Sequence, residues 1–270
     1  MELDDLKPED KLGKSYSEHK VFEQLKYISD FYDLLSFSIM SWRSQGILAM
    51  SNLDTYAYSS IKGTVESISD LLKKGRINDA YALLRKYHDS TIINIYSDLY
   101  LADNYSFENF IVSKIDNWIR GTETIPEYRV ISEYIKGSPK LASINKLLNK
   151  DDTYKKIRKR CNDHTHYNFY HNLLLNDNDI HNPDRSKYLD IFSKDIESIF
   201  IQHFAYIFYI NDQYMSSSDY MDYLEVGMIP IENSQYWVAN FIQNTFDEII
   251  KTKRPDIAEE IKKNTIMELN

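Results

Sequence analysis

Apolar residues recur every three or four positions from about Ser17 to Gln45, at Val21, Leu25, Ile28, Phe31 or Tyr32, Leu35, Ile39 and Trp42. That spacing gathers them on one stripe of an α-helix, the face that turns toward a core. The period returns over Asn52–Lys74 (Tyr56, Ile61, Val65, Ile68, Leu72) and over Ile77–Leu101 (Ala80, Leu83, Leu84, Tyr87, Ile92, Ile95, Leu99). Gly75, following Lys73 and Lys74, is predicted to end the second helix. Asn78 or Asp79 is predicted to cap the start of the third. Shorter helices are expected over 106–120, 125–135 and 140–148, with Pro126 in the first turn of the second and Gly137-Ser138-Pro139 as the break before the third. Asp151-Asp152-Thr153 reads as an N-cap cluster. A polar loop containing Asn176–Asp179 and Asn182–Asp184 leads into a long helix from Ser186 to Asn211. Its stripe includes Phe192, Ile196, Ile199, Phe200, His203 and Phe204. Further helices are expected around Trp237–Ile250 and Asp256–Met267. Only Val226–Ile231 has a weak strand-like pattern.

The predicted fold is all-α, a helical bundle of long antiparallel helices with additional short helices. The expected organisation is a flexible lead over 1–16, a bundle over 17–214, and a C-terminal helical extension over 215–270 packed on it. Composition agrees: seven Gly and six Pro in 270 residues leave little material for the tight turns of a β-fold. The formal charge of −9 argues against sequence-independent binding to a nucleic-acid backbone across the whole surface. One cysteine, Cys161, permits no disulfide within the chain. The opening Met-Glu-Leu-Asp-Asp has no apolar signal core, and Ile196–Ile210 is too short for a membrane span. A cytoplasmic protein with no membrane partner is expected.

One segment departs from this acidic background. Five of the seven residues from Tyr154 to Arg160 are Lys or Arg, and Asn162, Asp163, His164, His166 and Asn168 follow at once. At about 100° per residue, Tyr154, Ile157 and Cys161 fall on one helix face, with Arg160 and His164 together at its edge. Arg158 lies on the other side, with Asn162 and His166 beyond it. Arginine offers a rigid fork of donors to a phosphate, and histidine exchanges a proton near neutral pH. Attack by a ribose 2′-OH on the adjacent phosphate needs no metal. The bland alternative is a solvated helix face with capping or core histidines.

The spacing Arg-x5-His occurs twice, from Arg158 to His164 and from Arg160 to His166, and resembles the Arg-x4-6-His motif of the HEPN superfamily. With the long helices before it and the apolar helix after it, the resemblance covers about residues 50–212. It implies a helical bundle over 17–214 that cleaves RNA without a metal or other cofactor, as a homodimer in which two motifs meet. Such domains occur in bacterial toxins and in antiviral defence, which implies an antitoxin or defence-system partner. Carried over by position, Arg160 would hold the scissile phosphate and His166 act as general base or acid. Asn162 and Arg158 would support the phosphate, and His164 is the alternative histidine. Cys161 follows Arg160 where that family often keeps a polar residue. The competing reading is a non-catalytic helical scaffold or regulator that binds protein partners.

Other positions have bland assignments. Arg85 and Asp89, at i,i+4, fit a local ion pair, although Arg85 could support a phosphate or pair with Asp163. His203 fits a satisfied core histidine. His164, His166, His171 and His181 lack the Cys, Glu or Asp company of a tetrahedral metal site. Cys161 lies on the predicted buried face, which favours inert packing.

Overall fold

A computed structural model describes residues 12–43, 50–176 and 185–270. The first eleven residues of the expected lead and the polar loop at 177–184 lie outside the described residues. The helices are α1 (Lys14–Ser17), α2 (Val21–Arg43), α3 (Leu53–Lys73), α4 (Ile77–Asn104), α5 (Ser113–Ile119), α6 (Tyr128–Gly137), α7 (Ala142–Leu148), α8 (Thr153–Thr165), α9 (Tyr170–Leu174), α10 (Arg185–Ile210), α11 (Asp219–Glu225), α12 (Asn240–Thr245), α13 (Lys251–Lys253) and α14 (Pro255–Asn264). No strand occurs among the described residues, only two isolated bridges, and the fold is an all-α helical bundle. Val226–Ile231 is no strand: Gly227, at φ 70, turns the chain there. Among the described residues, no helix is long and apolar enough to cross a membrane.

The chain forms two compact units. One comprises 1–33, 59–90 and 152–200; the other comprises 34–58, 91–151 and 201–270. Helices α2, α3, α4 and α10 contribute residues to both. The first unit buries Val21, Leu25 and Ile28 of α2, Val65 and Ile68 of α3, Tyr81 and Leu84 of α4, Ile157 and Cys161 of α8, and Phe192 and Ile196 of α10. Removing such side chains from water is the main favourable contribution to this core. Tyr32 and Tyr87 meet inside it, hydroxyl to hydroxyl at 3.0 Å. The second unit contains the chain from Ile201 to Asn270 together with 34–58 and 91–151.

Several local details differ from expectation. Lys14–Ser17 is a helical turn, not a flexible lead, because Tyr16 is buried and its hydroxyl donates to the Leu72 carbonyl at 2.8 Å. Residues 106–112 stay outside α5, which begins at Ser113. The helix predicted from 125 starts at Tyr128, leaving Pro126 ahead of it. The helix expected around Trp237–Ile250 starts only at Asn240, as α12, and passes into a π-helical turn at Phe246–Ile250, with a separate 3-10 turn at Ser234–Tyr236 ahead of it.

Gly75 ends α3 as the spacing predicts. At φ 73 it lets its own N–H reach the Leu72 carbonyl (2.8 Å) and the Arg76 N–H reach Leu71 (2.9 Å), the Schellman pattern. The start of α4 is capped from far away: the Asn176 side-chain carbonyl accepts from the N–H groups of Asn78 (3.1 Å) and Asp79 (3.3 Å). Asn78 is thereby released for a different task.

Candidate functional site

The basic segment is α8, in the first unit. Ile157, Cys161 and His164 are its buried residues, which fits the face that the wheel assigns to the core. Lys155, Lys156 and Lys159 are exposed. Burial pushes the Cys161 thiol up to about 12, so it packs and does not react.

Both motif arginines are held by carboxylates. Arg160 binds Asp195 of α10 with two donors, Nε to Oδ2 at 2.7 Å and Nη2 to Oδ1 at 3.1 Å. Asp195 is the buried partner, with 6% of its side chain exposed against 37% for Arg160. Burial raises the Asp195 carboxyl above the usual range even though Arg160 and the Tyr81 hydroxyl, 3.4 Å away, act to lower it. Arg158 donates to Asp89 of α4. Arg85 contacts the same carboxylate at 3.1 Å and also donates to the Asn162 side-chain carbonyl. The local Arg85–Asp89 pair therefore forms, and Arg85 reaches Asn162 rather than Asp163. Two arginines sharing one carboxylate give this edge of α8 more positive than negative charge, while Asn162 is fixed by its bond to Arg85.

The two histidines differ sharply. His164 is buried, stacks on Tyr81 at 4.0 Å between centroids and 8° between planes, and meets Asn78. The Asn78 amide donates to the His164 carbonyl at 3.0 Å, which turns its own oxygen toward His164 Nδ1 at 2.5 Å. Nδ1 therefore carries the proton. Burial, with help from His171 and Arg160, lowers His164 to about 4, so the ring is neutral near pH 7 and built into the packing. His166 is the exposed C-cap of α8. Six residues of helix turn the chain by about 240°, so His166 leaves α8 on a different side from Arg160. Within one chain, Arg160 shares its edge with His164.

After His166, α8 ends in the same Schellman pattern as α3. Tyr167 N–H reaches His164 at 3.3 Å and Asn168 N–H reaches Asp163 at 3.0 Å. Here the left-handed position, φ 48, is occupied by Tyr167 instead of glycine, at a cost of about 1–2 kcal/mol for a residue with a Cβ. Tyr167, Phe169 and Tyr170 are all exposed beside His166.

Asp195, Asn78 and Tyr81 were missed by sequence reasoning. The available signal for Asp195 was an acid inside the apolar stripe of α10, one residue before Ile196 and three after Phe192. Outside this region, in the second unit, His203 is fully buried as expected. Its Nε2 donates to the Asn94 side-chain oxygen at 2.8 Å, and burial lowers it to about 3.

These two rings give a direct test. In nitrogen-detected NMR spectra at pH 5, His164 should show the neutral Nδ1–H tautomer and His203 the neutral Nε2–H tautomer. An imidazolium signal from either ring at that pH contradicts the assigned bonding. Both folded-state values lie below the ordinary 6.5. The stabilisation they contribute is thus complete above about pH 6.5 and declines as pH falls toward the folded values.

Among the described residues, no group of three or more His, Cys, Asp or Glu is placed to hold a metal ion. No protein-family model, no curated protein and no solved structure matches the chain.

Proposed function

We propose that this protein is an endoribonuclease of the HEPN type that works without a metal ion. The carrying observation is the division of labour between the histidines. His164 is locked neutral in the core, whereas His166 stands exposed at the end of a helix carrying Arg158 and Arg160. His166 takes the proton from the ribose 2′-OH or returns one to the leaving 5′-oxygen. The arginines neutralise the phosphate as negative charge grows on it. The exposed rings of Tyr167, Phe169 and Tyr170 offer faces on which unpaired bases stack.

The orientation of Arg160 and His166 on different sides of α8 favours a site completed by a second copy, His166 of one chain meeting an arginine of the other. A homodimer is accordingly part of the proposal, as is a role in toxin–antitoxin or antiviral defence systems, with a protein partner that restrains cleavage. The Arg160–Asp195 pair favours a second reading, since a guanidinium saturated by a buried carboxylate suits a non-catalytic scaffold or regulator.

The deciding measurement is incubation of the purified protein with structured and unstructured RNA in excess EDTA. Cleavage that persists and leaves 2′,3′-cyclic phosphate ends supports the nuclease. Cleavage abolished by chelation, or intact RNA at enzyme excess over a broad substrate panel, favours the scaffold.

A further inference from the structure

A cavity of about 740 Å³ lies wholly within the second unit, away from the α8 segment in the sequence. Its lining divides by chemistry. Asp54, Asp98, Ser51, Asn211 and the Tyr214 hydroxyl supply polar groups; Met50, Leu101, Ala102, Tyr105 and Phe110 supply apolar surface. Among the described residues, no lysine, arginine or histidine lines it.

The polar end is built rather than incidental. Asp54 and Asp98 are both more than nine-tenths buried. Asp54 accepts from Asn94 at 2.8 Å and from Tyr214 at 2.6 Å. Asp98 accepts from Asn211 at 3.2 Å and lies within hydrogen-bonding reach of Asp54. Asn94 is itself fixed by the His203 ring. Burial and the neighbouring Asp54 push the Asp98 carboxyl well above the usual range. Among the described residues lining the cavity, no cation faces these two buried carboxyls. A separate observation also points to a ligand: the Ser51 hydroxyl oxygen is shielded from solvent and has no hydrogen-bond partner among the described residues. Buried polar atoms are normally satisfied, and an orphan next to a cavity marks a place for a donor or acceptor from outside.

We propose that this cavity binds a small primary amine with an aromatic or aliphatic tail, its ammonium held by Asp54, Asp98 and Ser51 and its tail by Tyr105, Phe110 and Leu101. An ammonium presents three N–H donors, which matches two carboxyls and a hydroxyl. It also supplies the charge that the paired acids lack. Tyr105 and Phe110 are exposed and meet edge to face at 5.8 Å, so the apolar wall reaches solvent and leaves a way in. An anion would meet only like charge at this end.

Phenethylamine serves as the probe, with phenethyl alcohol, phenylacetate and Mn²⁺ as controls, using isothermal calorimetry and thermal melting of the full chain. Phenethylamine should bind and raise the melting temperature, while the alcohol and the acid should do neither. Asp98→Asn should weaken the amine by about tenfold or more, the loss of one charge-assisted bond. If Asp98→Asn fails to fold, Ala102→Trp, which adds bulk at an exposed position on the cavity wall, should block binding instead. Equal stabilisation by amine and alcohol overturns the proposal, as does tighter binding of Mn²⁺ than of the amine. Unchanged amine affinity in either folded variant also overturns it.

Discussion

Replacing His166 with alanine should lower single-turnover RNA cleavage by roughly 10²–10⁴-fold, the usual contribution of a positioned acid or base, and leave stability nearly untouched. The side chain is exposed and the last turn is closed by the backbone N–H of His166 on the Asn162 carbonyl at 3.0 Å. An exposed substitution of this kind changes stability by less than about 0.5 kcal/mol. Loss of cleavage in a fully folded variant therefore reports chemistry. His164→Ala behaves differently, because it strips the stacking on Tyr81 and leaves the Asn78 oxygen without its donor. Its loss of activity, if seen, would accompany a lower melting temperature. Cleavage by His166→Ala at the wild-type rate removes His166 from the mechanism and with it the nuclease assignment.

The second large effect is on stability. Arg160→Ala should cost roughly 2–3 kcal/mol in urea denaturation, the low side of the range for breaking a buried ion pair, since Arg160 remains more than a third exposed. Most of that cost comes from what stays behind. Asp195 is left buried on α10 with, among the described residues, the long bond from Tyr81 as its remaining hydrogen bond, and a buried carboxylate without a cationic partner is expensive. Adding Asp195→Asn to Arg160→Ala should recover at least half of the loss, because a neutral amide carries no uncompensated charge. A cost below about 0.5 kcal/mol for Arg160→Ala, or no recovery in the double variant, means that the pair contributes little to folding. This matters for activity measurements too: Arg160→Lys, which keeps the charge, separates phosphate binding from fold integrity better than alanine does.

The legible and illegible parts of this chain follow from distance along it. Helical stripes are local, so α2, α3, α4 and α10 could be read within a few residues of their ends. The Gly75 terminus could be read because its pattern spans six residues, Leu71 to Arg76. The cap of α4 could not, because Asn176 lies almost a hundred positions away. At 106–112, aromatic residues imitate a helical stripe, yet Tyr105, Phe107 and Phe110 are exposed. Within the candidate site, the wheel separates Arg160 and His164 from Arg158, Asn162 and His166 correctly. What it lacks are the partners on other helices, Asp89, Asn78, Tyr81 and Asp195. These decide which histidine is free and how firmly each arginine is held.

Tyr167 has an evolutionary implication. Asparagine tolerates its left-handed backbone far better, and either tyrosine codon becomes an asparagine codon through one nucleotide change. A lineage drifting under pressure for thermodynamic stability alone has that improvement within a single mutational step. Under the proposed nuclease reading, Tyr167→Asn would exchange the backbone strain for the loss of a stacking face.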